Sequence, residues 1–236
     1  MAKRQIVAMG GGGFLMDDPL LDDYVLSLTR RKRPRVCFLP TAGGDNRDSI
    51  VKFHEAFPPQ RAEASHLRLF GVPRTDIREL LLSQDVIYVG GGNTANMLAV
   101  WSVHGVDRVL REAWRRGIIL TGVSAGMLCW FEGGVTDSFG RPLSAIRDGL
   151  GFLKGSACPH YDGETDRRPI YHRLLQRGLS SGVAADDFAA IHYLGVKIYA
   201  CVASRPNARC YRLSVRSGAV REEELKTRCL SRKQPH

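Results

Sequence analysis

At 236 residues the chain can bury one substantial core, and nothing in its length calls for a second. Its 44% apolar and 25% charged residues exclude disordered and fibrous classes, and no apolar run reaches the length of a membrane span. A formal charge of +10 would attract polyanions, but the basic runs at Arg30 to Arg35, Arg115-Arg116 and Arg228 to Lys233 are dispersed and lack aromatic platforms, so they read as solvated surface and no nucleic acid is expected.

In chain order, the first strand expected is Gln5 to Met9, an apolar run behind Lys3 and Arg4 that glycines cut too short for a signal-peptide core. Further strands are expected at Arg35 to Leu39, Ser65 to Leu69, Val86 to Val89 and Ile118 to Val123, alternating with helices at about Pro19 to Thr29, Asp48 to Phe57, Thr75 to Ser83 and Val106 to Arg116. This alternation, with continuous apolar runs in the later strands, is the pattern of an α/β fold: a central, mostly parallel sheet buried between helices. From Gly182 the texture becomes strand-rich. Gly182 to Ala185, Ala189 to Leu194, Val196 to Ala203 and Arg209 to Val215 follow at short intervals, as in an antiparallel edge. The expected organisation is one domain over 1–220 and a loosely held charged tail over 221–236. Six scattered cysteines show no metal-type spacing, so reduced thiols in a cytoplasmic protein without metal are expected.

The strongest local signal is Gly122-Val123-Ser124-Ala125-Gly126, a GxSxG run placed after an apolar strand and before a helical segment expected over Met127 to Phe131. A strand-to-helix elbow of this kind exposes the serine hydroxyl at the carboxyl edge of the sheet, where open α/β folds bind ligands. Val89-Gly90-Gly91-Gly92-Asn93-Thr94 follows another central strand and opens another helix. Its bare backbone can approach a ligand, so Gly92 N–H and Ala125 N–H are the candidate oxyanion donors. Neither this run nor Gly10 to Gly13 continues as a nucleotide-binding motif, and no cofactor is expected.

A nucleophilic serine requires a base. His160, in Cys158-Pro159-His160-Tyr161-Asp162, occupies a strand-end position, whereas His54, His104 and His172 lie in or beside amphipathic helices and His192 in a later strand. His160 is therefore the first choice and His192 a distant second. Asp186 and Asp187 end the Gly182 to Ala185 run, and either could orient the imidazole.

These segments, in this order over roughly residues 35 to 204, resemble the peptidase E family of serine peptidases, which includes aspartyl dipeptidases and the related cyanophycinases. The resemblance implies a class I glutamine amidotransferase-like fold and hydrolysis of a short peptide through an acyl-enzyme, with Ser124 as nucleophile and His160 as base. It places a carboxylate at Asp187, where the dipeptidases carry glutamate, with Asp186 or Asp137 as alternatives. In those dipeptidases an arginine after the histidine matches an N-terminal aspartate of the substrate. Here Gly163-Glu164-Thr165-Asp166-Arg167-Arg168 has an acid at that place, leaving Arg167 or Arg168 to compensate. Glu132, past the elbow, is a further candidate for the substrate's amino group. The expected partner is a small peptide, with no membrane and with a homodimer left open. The competing reading is an amidotransferase-like binding or regulatory module without peptidase activity.

Overall fold

The computed structural model describes residues 3–73 and 75–231. In chain order the elements are β1 (Gln5–Met9), α1 (Pro19–Ser27), β2 (Arg35–Leu39), α2 (Arg47–Ala56), β3 (Glu63–His66), α3 (Ile77–Leu82), β4 (Val86–Val89), α4 (Thr94–His104), α5 (Val106–Arg116), β5 (Ile119–Val123) and α6 (Ala125–Leu128). They continue as β6 (Phe131–Thr136), β7 (Ser144–Ile146), β8 (Leu153–Cys158), α7 (Arg167–Gln176), β9 (Gly182–Ala185), β10 (Ala189–Leu194), β11 (Lys197–Ala203), β12 (Cys210–Arg216), β13 (Ala219–Leu225) and β14 (Thr227–Cys229).

The expected α/β architecture is present, built on two sheets. The larger runs β14-β11-β10-β1-β5-β4-β2-β3, and its β1, β5, β4, β2 and β3 are mutually parallel. Helices cover both of its faces, which is why its strands read as unbroken apolar runs. Along β1, Ile6 and Ala8 join a core with Met97 and Trp101 of α4 and Leu110 and Trp114 of α5, while Val7 and Met9 join the opposite core with Leu21 of α1 and Phe53 of α2. Alternation thus divides one strand between two apolar environments.

The smaller sheet runs β13-β12-β9-β8-β6-β7, with β9, β8 and β6 parallel. Ala157 and Val183 point into the first core, and Val135, Cys158 and Ala184 pack instead against Tyr171 and Leu175 of α7. The turn from β9 to β10 carries the chain from the small sheet to the large one. Asp187 lies in that turn.

Several expected boundaries move. Helix α6 is a single turn that ends at Leu128, and Phe131 already begins β6, so the helix expected over Met127 to Phe131 is mostly absent. The third strand is Glu63–His66, earlier than expected. The charged segment from Arg221 is not a loose tail up to Cys229: it supplies most of β13, paired antiparallel with β12, and all of β14, paired parallel with β11. Only the last part of that expectation, 232–236, lies outside the described residues. No helix among the described residues is long and apolar enough to cross a membrane, and all six cysteines are free thiols, five of them buried.

Candidate active site

Ser124 stands between β5 and α6 with φ 59° and ψ −111°, a conformation rarely adopted by a residue with a side chain. Both flanking glycines make the elbow possible by close approach. A Cβ at Gly122 would lie 2.7 Å from Val89 O, and one at Gly126 would overlap the same oxygen. The elbow is thereby pressed against the end of β4, next to the Gly90 to Gly92 loop. A Cβ at Gly91 would lie 3.3 Å from Ser124 Cβ and 3.8 Å from its Oγ, so a glycine keeps the approach to the hydroxyl open.

Gly92 has φ 132°, and a Cβ there would overlap Ala42 O in the turn after β2. Asn93 N–H donates to the same Ala42 oxygen at 2.8 Å, which fixes the loop, and the Asn93 side chain caps α4 by accepting from Asn96 N–H. Among the described residues no acceptor takes the N–H of Gly92 or of Ala125. With α6 only one turn long, its Ala125 N–H rather than a macrodipole is its electrostatic contribution, and Gly92 adds a donor from the loop before α4.

His160 follows β8 with φ 51°, and its Nδ1 is 2.6 Å from Asp187 Oδ1. Ring and carboxylate are each 18% exposed, open enough to meet a substrate and dry enough for the hydrogen bond to be strong. Asp187 is held by the loop that carries the histidine: its N–H donates to Asp162 Oδ1 at 2.8 Å, and a Cβ at Gly163 would overlap its Oδ2. Gly11 closes the opposite side, leaving room for the carboxylate and lying under the imidazole.

The first glycine run links this pair to the serine. Ser124 N–H donates to Met9 O, Gly10 N–H to Ala189 O, and Phe188 N–H to Gly11 O. Met9 to Gly11 is at most about 7 Å of chain, so the backbone that braces the serine also carries the floor of the His160–Asp187 pair. In the sequence, Gly10 to Gly13 completes no nucleotide-binding motif and carries no assigned role. Its position at a strand end is visible there, but its packing against His160 and Asp187 is not.

Of the alternatives, Asp186 turns away. It accepts from Arg209 N–H at 2.9 Å and lies 3.4 Å from Tyr211 OH, and burial pushes its carboxyl up to about 6. Asp137 is exposed beside Ser138, which ties the loop after β6 to Asn93 and to the first turn of α4. His192 is buried between Tyr24 OH and Gln5, and burial lowers it to about 4. It belongs to the packing of the large sheet.

Three expected substrate contacts are otherwise engaged. Arg167 is 3% exposed, bidentate to Glu164, and donates to Val135 O. Arg168 is paired with Glu222 and stacked on Tyr161 and Tyr211. Glu132 is a correction: it sits near the start of β6 and accepts from Gly155 N–H at 2.8 Å, at the opposite end of the parallel strands from His160 and Asp137. A residue not anticipated, Arg141, reaches from the loop after β6 to Asp166 at 2.7 Å, in an ion pair with both side chains more than half exposed.

The family model for peptidase family S51 matches residues 6–200. The uncharacterized peptidase YgaJ of Bacillus subtilis (strain 168) is 49% identical over 230 residues, covering 96% of this chain and 99% of that protein. Two crystal structures are similar at 18% identity each and show the fold alone. A peptidase from an acI-B1 actinobacterium has a TM-score of 0.73, with 95% of each chain covered. A Listeria monocytogenes EGD-e protein, named as a peptidase E candidate, has a TM-score of 0.56, with 95% of this chain and 100% of that one covered. The extent of the family match and the near end-to-end identity with a peptidase carry the conclusion: the chain belongs to peptidase family S51, the peptidase E family, and is a serine-type peptidase.

Proposed function

We propose that the protein hydrolyses short peptides through an acyl-enzyme on Ser124, in a cytoplasmic setting that suits its free thiols. The observation that carries this reading is the 2.6 Å bond from His160 to Asp187, braced by the glycine run that also braces the serine elbow. With Nδ1–H committed to the carboxylate, Nε2 is the basic nitrogen. It takes the Ser124 proton as Oγ attacks the scissile carbonyl carbon, and the carbonyl oxygen gains the negative charge. Gly92 and Ala125 N–H stabilise that charge as it develops. His160 then protonates the leaving amine, the C–N bond breaks, and water repeats the cycle to release the acid.

Arg167 and Arg168 are held by carboxylates of the chain itself, so neither is offered to a substrate without loss of an internal pair. Arg141 differs, because its exposed pair with Asp166 is worth little and is readily exchanged. Where a substrate carries an acyl-side aspartate, Arg141 is the guanidinium that meets it.

Hydrolysis of a dipeptide panel containing Asp-X, Glu-X and neutral members tests the reading. Turnover by the wild type, and its loss in Ser124→Ala and His160→Ala, is the expected result. Folded wild type that cleaves no member, nor longer peptides, would favour the binding-module reading instead.

A further inference from the structure

The segment from Arg221 carries more than its charge indicated. In β13, Val220 and Glu222 share the face turned toward α7, and Val220 packs in the core that contains Tyr161 and Tyr171. Glu222 is thereby placed under the residue that follows His160. Tyr161 is 2% exposed, and its hydroxyl donates to Glu222 Oε2 at 2.5 Å. His172 Nε2 lies 2.9 Å from that hydroxyl and 3.0 Å from the same carboxylate oxygen, and Arg168 pairs with both oxygens of Glu222 while lying across the Tyr161 ring. At its other end Tyr161 donates its backbone N–H to Ala185 O, two residues before Asp187.

His160 itself has a φ of 51°, a left-handed value that histidine adopts more readily than most residues with a side chain but that still benefits from a fixed corner. The only covalent neighbour with a rigid aromatic ring is Tyr161, tied at both ends. We infer that Glu222 is a positioning residue of the peptidase site, acting through the Tyr161 hydroxyl to hold the corner that presents His160 to Asp187 and Ser124. The inference rests on the proposed roles of Ser124 and His160. It makes the C-terminal hairpin part of the machinery, although no residue of that hairpin touches the reacting atoms.

The test uses the full chain and the near-isosteric variants Tyr161→Phe and Glu222→Gln, with Glu223→Gln on the outward face of the same strand as control. Active sites are counted with a fluorophosphonate probe, and kcat and KM are measured per counted site on a cleaved peptide. Tyr161→Phe and Glu222→Gln are expected to lower kcat about ten- to a hundredfold with KM changed less than about threefold, since small misplacement of a catalytic group acts on turnover more than on binding. The double variant should be no slower than the slower single, because both remove one link, and Glu223→Gln should match wild type. Unchanged kcat per counted site in Tyr161→Phe, with only thermal stability reduced, would show a purely structural bond and overturn the inference. Additive losses would overturn it as well. Failure of folded wild type to react with the probe would remove the reading beneath it, a distinguishable result.

Discussion

A side chain at Gly11 and the carboxylate of Asp187 cannot both keep the present arrangement: a Cβ built on Gly11 overlaps Asp187 Oδ1 and lies 3.2 Å from His160 Nδ1. Gly11→Ala should therefore displace the pair rather than merely strain the loop. We expect kcat/KM to fall about a hundredfold, with the melting temperature lowered only modestly. Retained activity would mean that Asp187 is dispensable or has room to move.

Asp187 and Asp186 are neighbours with different surroundings, one on His160 and the other on Arg209 and Tyr211. Asp187→Asn keeps the shape but presents an amide where a proton acceptor is needed, and should cost about 10³- to 10⁴-fold in kcat. Asp186→Asn should stay within about tenfold of wild type. Kinetics of the two variants on one peptide discriminate, and an equal loss in both would contradict the assignment of Asp187.

Much of the fold, and the residues at the centre of the candidate site, are legible in the sequence itself. Val86–Val89 is a strand within the bounds expected, because a strand buried on both faces leaves an unbroken apolar run, and GxSxG announces its own turn. Strand β6 is hidden by Gly133 and Gly134, poor strand formers present because a Cβ at either would overlap an oxygen of β7 or β8. Strand β13 is hidden by Arg221-Glu222-Glu223-Glu224, whose charges read as solvated until a pairing partner and Tyr161 are in place. The contacts made by Gly11, Arg141 and Glu222 are long-range, and neither spacing nor composition encodes them.

The ion pairs make a prediction on specificity. Arg141→Ala should lower kcat/KM for Asp-X peptides relative to neutral ones, while Arg168→Ala should leave that ratio unchanged, as its guanidinium is held by Glu222. Arg167→Ala should instead destabilise the fold by about 2 kcal/mol, because it removes a buried guanidinium that donates to Val135 O and pairs with the partly exposed Glu164. A ratio that moves with Arg168 and not with Arg141 would reverse the reading.

Asp22 supplies a pH signature of stability. It is almost fully buried against Tyr88 OH, and desolvation raises its carboxyl to about 7. A carboxyl raised in the folded state binds more protons there than in the unfolded chain. Its contribution is therefore present below its ordinary value near 4 and is lost as pH rises toward 7. Asp22→Asn removes that loss, so its stability relative to wild type should improve by about 3 kcal/mol between pH 5 and pH 8. Denaturant titrations of both proteins at the two pH values give the comparison; parallel pH dependences would contradict it.

The central claim is that the hydroxyl at the elbow is the nucleophile, and the most direct measurement is the mass of the protein after exposure to a fluorophosphonate, followed by mapping of the modified peptide. One adduct per chain on Ser124, formed by wild type, absent in Ser124→Ala and strongly slowed in His160→Ala, is the predicted result. Wild-type protein that cleaves peptides but takes up no adduct at Ser124, or takes it up equally fast without His160, would contradict the account.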